Sequence, residues 1–165
     1  MPFIYTDKLL TMPSTQELKD GDTWIIELPF VFVRANGQRI IVPPSGLGDI
    51  DSMLLNPVWT TDYGSIPQAF QSFFRKDGVL APIYVVHDWI YASEMFPRAV
   101  CDEILIEGAQ ELGYDLVERN IIYDAVRVGG EAVWNQHDIN NVTLLQAYYN
   151  TFTSEVAGRW PMLLG

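Results

Sequence analysis

The segment 81–93, Ala-Pro-Ile-Tyr-Val-Val-His-Asp-Trp-Ile-Tyr-Ala-Ser, constrains the fold of this chain more than any other stretch. Pro82 suits the first turn of a helix, where its missing N–H leaves no helical hydrogen bond unmade. Apolar residues then recur at helical intervals, which predicts a helix facing a hydrophobic core. His87 and Tyr91, four residues apart, share another face, with Asp88 beside them. An imidazole and a carboxylate on so apolar a helix require a partner, a metal ion or a water channel.

The composition predicts a folded, acidic protein. Its 165 residues are 48% hydrophobic and 13% aromatic, which argues against disorder. The net charge of −11 repels phosphate backbones and anionic lipid, so we expect no nucleic-acid partner. Cys101 is the only cysteine, so no internal disulfide can form. Without a signal-peptide pattern or an apolar run of the ~20 residues that span a membrane, we expect synthesis in a cytoplasm and no integral membrane segment.

The chain is predicted to form a single α+β domain, with an N-terminal antiparallel hairpin or small sheet, a three-helix core and an aromatic C-terminal tail. Asn36-Gly37 between two apolar runs predicts the hairpin, with a type I′ turn. Residues 45–56 are expected to be a flexible insertion. The regions are an N-terminal arm (1–22), a β region (23–59), a loop and helical core (60–134) and a C-terminal segment (135–165).

The three central helices follow from apolar periodicity and from Pro and Gly positions. The first contains His87. Pro97 opens the second, over 98–112, which Gly113 ends. The third runs over about 116–128, where Gly129-Gly130 is expected to bend or stop it. The tail from residue 141 is predicted to be a last helix and an extended end that docks on this domain or on a neighbour.

His87 and Asp102 are the first candidate site. Two antiparallel helices with a short link would bring Asp102 to His87, and a carboxylate on one imidazole nitrogen leaves the other to accept a proton from water. Asp88, with loop carbonyls, would hold a hard cation that polarises an ester carbonyl. The alternative is a buried structural network that connects the turn at Asp62 to the helices.

The polar turn 61–67, Thr-Asp-Tyr-Gly-Ser-Ile-Pro, is the second candidate. Asp62 and Ser65 can bond backbone groups within the turn, and Gly64 permits positive φ, which favours a structural turn. The functional alternative is that Asp62 or the loop carbonyls bind a metal ion. Ser65 lacks the Gly-x-Ser-x-Gly setting of a nucleophilic serine.

Other polar positions are interpreted more simply. Arg119, Tyr123 and Arg127 recur every four residues and predict a polar stripe, either solvated or paired with acidic residues such as Asp88 or Asp102. Cys101 is predicted to be a packed thiol. His137 lies in a polar stretch and is predicted to be solvated.

Several motifs together resemble an uncharacterised domain family of tailed phages and prophages. The resemblance covers about residues 24–134 and rests on Thr61-Asp-x-x-Ser-Ile-Pro67, His87-Asp-x-x-Tyr91 and the downstream Cys101-Asp102. It implies a viral context: synthesis in the host cytoplasm, then a place in the virion. The expected function is that of a tail or tail-tip structural or assembly protein, with other phage structural proteins as partners in an oligomeric assembly.

The His87-Asp88-x-x-Tyr91 motif, followed by an Asp early in the next helix, is also similar to the active-site helices of the phospholipase A2 superfamily. This second resemblance implies His87 as general base, Asp102 as its partner, Tyr91 as support for the network and Asp88 as a Ca²⁺ ligand. The family's glycine-rich calcium loop is not evident, so residues 61–65 would have to substitute for it. The alternative function is therefore a calcium-dependent hydrolase of lipid esters in the host envelope.

Overall fold

The computed structural model describes residues 2–5, 11–13, 23–62 and 79–165, and these form an α+β fold, as predicted. The strands are β1 (Phe3–Tyr5), β2 (Thr11–Pro13), β3 (Trp24–Ile26), β4 (Phe30–Val33) and β5 (Arg39–Val42). The helices are α1 (Ile50–Leu55), α2 (Ala81–Ala92), α3 (Arg98–Glu111), α4 (Leu116–Asn135) and α5 (Ile139–Thr151). Three short helical turns follow: Phe152–Val156, Ala157–Arg159 and Pro161–Leu163. Within the described ranges, no helix is long and apolar enough to cross a membrane.

The predicted hairpin is present between β4 and β5, but its turn differs from the prediction. β4 lies between β1 and β5 in an antiparallel sheet, and β2 pairs with β3 in a separate ribbon. Gly37 has a φ of +84°, whereas Asn36 does not have positive φ, so the turn is not type I′. The N–H of Gly37 donates to the carbonyl of Arg34, and the N–H of Arg34 donates to the carbonyl of Gln38, each at 2.9 Å. This is a three-residue loop with glycine in the left-handed position.

The two faces of the three-stranded sheet enter different hydrophobic clusters, since successive strand side chains alternate in direction. The first face joins the main core, which also contains α2 and α3, through Phe3, Phe30, Phe32, Ile40 and Val42. On the opposite face, Val31 and Ile41 pack with Phe152 and Leu163 from the C-terminal turns. The C-terminal segment therefore covers the outer face of the sheet.

The predicted last helix, α5, and the docking of the tail on this domain, one of the two alternatives, are confirmed. The predicted extended conformation of its end is wrong, because the segment after α5 forms helical turns. Phe152 and Leu163 are completely buried there. A guanidinium nitrogen of Arg39, on β5, donates to the carbonyl of Met162 at 2.8 Å. Exposure of an apolar sheet face to water is unfavourable, and the docked C-terminal segment buries this face.

Helix α2 lies at the centre of the main core. All its residues are buried except Ala81, Pro82, Asp88 and Ala92, which are half-buried. The ring centroid of Trp89 lies 5.1 Å from that of Trp59 and 5.9 Å from that of Tyr149. A helix that is apolar nearly all round is stable only when surrounded by other elements, and α2 packs on β5 and α3.

Two other helix boundaries can be compared with the sequence predictions. Helix α3 follows Pro97 and ends before Gly113, whose φ of +92° confirms its predicted place at the helix end. The predicted flexible insertion at residues 45–56 instead contains α1. The Asp49 carboxylate caps α1 by accepting a hydrogen bond from the N–H of Ser52 at 2.8 Å.

The predicted stop at Gly129-Gly130 is wrong, because both glycines lie inside α4; the alternative, a bend, stays a prediction. A Cβ atom at Gly130 would lie 2.5 Å from the hydroxyl oxygen of Tyr91 on α2. This glycine therefore permits a close contact between helices and does not end one.

Gly108 on α3 also permits a close contact between helices, in this case with α2. A Cβ atom there would lie 2.2 Å from side-chain atoms of Ile83, which is completely buried. We expect Gly108→Ala to lower the free energy of unfolding by about 1–3 kcal/mol, because the added methyl group overpacks the core. Urea denaturation measures this change.

Gly158→Ala is the matched control, since a Cβ atom at Gly158 meets no atom within 4 Å. Its effect should stay within about 0.5 kcal/mol, as for most exposed positions. Equal effects of the two substitutions would show that the close contact between α2 and α3 does not constrain position 108.

Candidate functional site

The carboxylate of Asp102 is the centre of a polar network between three helices. Its side chain is 0% exposed. Its Oδ1 lies 2.9 Å from Nε2 of His87 on α2, and its Oδ2 accepts a hydrogen bond from Nη1 of Arg127 on α4 at 2.7 Å. The structure thus brings together the predicted pair, His87 and Asp102, and adds Arg127, one of the alternatives considered for the polar stripe.

The network keeps Asp102 ionised although it is buried. Burial alone would raise the pKa of this carboxyl, but the hydrogen bonds and charges of His87 and Arg127 outweigh burial and lower the pKa. The same hydrogen bond raises the pKa of the Arg127 guanidinium. The Asp102 carboxylate is therefore a permanent negative charge inside the helical core at neutral pH.

An ionised Asp102 fixes the orientation of the His87 ring. A carboxylate can only accept, so Nε2 of His87 carries a proton and donates it. Nδ1 then remains as the nitrogen that can accept a proton when the imidazole is neutral. His87 itself is only 8% exposed.

Tyr91 contacts this network with its ring and not through its hydroxyl. The ring centroids of Tyr91 and His87 are 4.8 Å apart. The Tyr91 hydroxyl donates to the carbonyl of Gly130 and accepts from Nε of Arg98, each at 2.8 Å. Arg98 also donates to the carbonyl of Arg127, so it links the start of α3 to α4. Arg98 is not among the predicted site residues, and no spacing signal distinguishes it.

The polar stripe of α4 faces α3 but does not act as one group. Arg127 enters the Asp102 network, whereas Arg119 bonds the side chain of Gln110 and the backbone carbonyl of Asp115. Tyr123 lies between them and is half-buried. The fourfold spacing therefore identified the correct side of α4, but only Arg127 reaches the candidate site.

Asp88 points away from His87 into a separate open cavity of about 190 Å³. Its Oδ2 accepts hydrogen bonds from the hydroxyl of Thr61 and, at 3.3 Å, from the N–H of Asp62. The described residues that line the cavity are Thr23, Thr60, Asp62, Asp88, Tyr91, Ala92, Val133 and His137. Asp62 and Asp88 thus share one cavity, and His87 is not part of its wall.

His137 lines this cavity, and the prediction that it is solvated is wrong. Its Nδ1 lies 2.9 Å from Oε1 of Glu94, and its ring packs against Trp134 and Tyr91. Glu94 follows α2 and has a φ of +48°, so a non-glycine residue occupies the left-handed region there. No motif could reveal this pair, because 43 residues separate its members.

The fit to a calcium ion is partial. Asp62 and Asp88 would supply two carboxylates, whereas Ca²⁺ takes about 6–8 oxygen ligands. Among the described residues, no three His, Cys, Asp or Glu side chains form a metal-binding group. Gly64 and Ser65, predicted to shape the adjacent turn, lie outside the described residues.

Cys101 is a packed thiol, as interpreted from the sequence. It is completely buried, and its sulfur lies 3.5 Å from the carbonyl oxygen of Phe96 and 3.7 Å from that of Ile90. Burial raises the pKa of the thiol to about 12, so a nucleophilic thiolate is absent at neutral pH.

The fold and the site define an α+β protein whose helical core is built on a buried His–Asp–Arg network beside an acidic cavity. A family model described as a protein of unknown function (DUF1353) matches residues 24–126, more than half of the chain. The chain therefore belongs to the DUF1353 family. Comparison with curated proteins and with solved structures gave no match.

The lowered pKa of Asp102 predicts a specific acid sensitivity. The unfolded chain binds more protons than the folded one between the lowered pKa and the ordinary value of 3.8, so stability is lost as the pH falls through this window. Above 3.8 the contribution of Asp102 is fully present. We expect the free energy of unfolding of Asp102→Asn to depend less steeply on pH in this window than that of the wild type, as measured by denaturation at a series of pH values.

Glu103→Gln is the matched control, because Glu103 is the next residue of α3 and is exposed. It should keep the pH dependence of the wild type. If Asp102→Asn and the wild type lost stability with the same steepness, the account of Asp102 as a carboxylate stabilised in its ionised form would be wrong.

Proposed function

We propose that this chain is a structural or assembly protein of a phage particle, in the tail or tail tip, and that its His–Asp–Arg network stabilises the fold. The observation that carries the structural part is the arrangement of Asp102. Both carboxylate oxygens bond side chains of other helices, and the carboxylate has no exposed surface. Because both oxygens of the Asp102 carboxylate are paired within the protein, no ligand is needed to explain the buried charge.

Two further observations support an assembly role over catalysis. His87 is nearly buried and lies outside the wall of the adjacent cavity. The carboxylate of Asp102 also pairs with Arg127, so it is shared between two side chains and is not dedicated to His87. The phage context rests on the resemblance carried by the Thr61–Pro67 and His87–Tyr91 motifs.

Analysis of particles of the phage or prophage that encodes the chain tests this proposal. We expect mass spectrometry of purified particles to find the chain, and removal of its gene to give particles with defective tails. An assembly factor that leaves the finished particle would still be revealed by the second result. Particles that lack the chain, together with normal particles after removal of the gene, would overturn the proposal.

A calcium-dependent ester hydrolase is the second candidate, because Asp62 and Asp88 share a cavity next to the His87 helix turn. In this reaction, water attacks the ester carbonyl carbon as its proton moves to Nδ1 of His87, while Asp102 orients the ring. The C–O bond then breaks, and His87 returns the proton to the leaving oxygen. The bound ion, held by Asp88 and Asp62, would stabilise negative charge on the carbonyl oxygen. His87 would have to gain access to the substrate for this chemistry.

Calorimetric titration of the full chain with Ca²⁺ separates the two candidates. The structural proposal predicts that Asp88→Asn lowers the melting temperature, since Asp88 anchors Thr61 and Asp62, and that calcium does not raise the stability of the wild type. Asp124→Asn, at an exposed position of α4, is the matched control for the loss of one charge. Submillimolar calcium binding that Asp88→Asn abolishes and Asp124→Asn preserves would favour the hydrolase.

A further inference from the structure

One side of α4 carries apolar residues with surface exposed to solvent. Val117 and Val128 are 67% and 74% exposed and Ala132 is exposed, whereas Ile121 is half-buried and packs partly against the main core. At about 100° per residue, these four positions lie within about 60° of one another around the helix. We call this set, Val117, Ile121, Val128 and Ala132, the α4 stripe. With a rise of about 1.5 Å per residue it is about 22 Å long.

The α4 stripe is bordered by acidic residues on its solvent side. Asp124 and Glu131, seven residues apart, are both exposed and form the next row around the helix. Arg119 and Arg127 lie beyond the acidic row around the helix, with Arg127 next to it, and both bond side chains of α3. The stripe therefore presents apolar surface beside negative charge, with no basic residue in its own row or in the acidic row.

We propose that the α4 stripe binds a basic amphipathic helix of a partner protein. Apolar side chains of the partner would cover Val117 and Val128, and its Lys or Arg side chains would pair with Asp124 and Glu131. A second copy of this chain fits poorly, because each copy has a net charge of −11 and would bring the same acidic row to the contact. An anionic membrane surface is repelled for the same reason. This inference rests on the proposed function, since it names the kind of partner that an assembly protein would recognise.

Binding of a model peptide to the full chain tests the inference. The probe is a fluorescent helical peptide of leucine and lysine with leucines on one face, compared with the same peptide in which glutamate replaces lysine. We expect the lysine peptide to bind and the glutamate peptide not to bind. The double variant Val117→Ser/Val128→Ser should weaken binding at least about tenfold, because burying each valine contributes more than that factor.

Matched variants show whether the effect belongs to this surface. Leu55→Ser/Leu144→Ser removes two other exposed apolar side chains, and Glu103→Gln/Glu111→Gln removes two exposed charges of α3. Both should bind the peptide as the wild type does, whereas Asp124→Asn/Glu131→Gln should bind more weakly and with less dependence on salt. Circular dichroism verifies that every variant stays folded.

Three outcomes would overturn the inference: no binding of the lysine peptide, equal losses in the stripe and control variants, or concentration-dependent self-association that Val117→Ser/Val128→Ser abolishes. Sedimentation of the wild type and this variant measures the last. None of these experiments uses phage particles. If the binding experiments overturn the inference about the α4 stripe but the particle experiments show a role for the chain, the proposed function stands and the partner surface lies elsewhere.

Discussion

The helical core depends on one buried negative charge. Removing a carboxylate from water costs several kcal/mol even after relaxation, and the cost is offset only when partners with good geometry surround the charge. Asp102 has such partners from both neighbouring helices, His87 on α2 and Arg127 on α4. Because His87 and Arg127 bond different oxygens of the Asp102 carboxylate, the network fixes the three helices relative to one another. Gly108 and Gly130 permit the close contacts between these helices.

The same arrangement separates two adjacent residues into two environments. Neighbouring positions on a helix differ in direction by about 100°, so His87 and Asp88 cannot face the same way. His87 points into the core, where Asp102 fixes its tautomer, whereas Asp88 faces the open cavity with Asp62. The acidic cavity and the buried network are therefore neighbours with separate chemistry, which favours a structural role for the network. His137 and Glu94 add a second imidazole–carboxylate pair, and this one borders the cavity.

Local patterns in the sequence were sufficient for part of this description. The helix ends could be located from Pro82, Pro97 and Gly113. The positions of His87 and Asp102 on two consecutive helices with a short link were enough to predict their contact. Predictions failed where the outcome depended on distant partners. Gly129-Gly130 resembled a helix stop, but the hydroxyl of Tyr91 makes Gly130 a contact point between helices. Docking of the tail on this domain was one of the alternatives, but the helical turns of its end depend on the sheet face that it covers, which is not visible in the sequence of the tail. The roles of Arg98, Glu94 and His137 likewise arise from tertiary contacts that no local spacing encodes.

A double-mutant cycle on His87 and Asp102 tests the central claim most directly. The free energies of unfolding of the wild type, His87→Ala, Asp102→Ala and the double variant give the coupling between the two side chains. If the pair stabilises the fold, the coupling should be about 1–3 kcal/mol, because either single substitution leaves a buried partner without its hydrogen bond. A coupling close to zero, with single variants as stable as the wild type, would contradict the account and show that the pair is retained for a purpose other than folding.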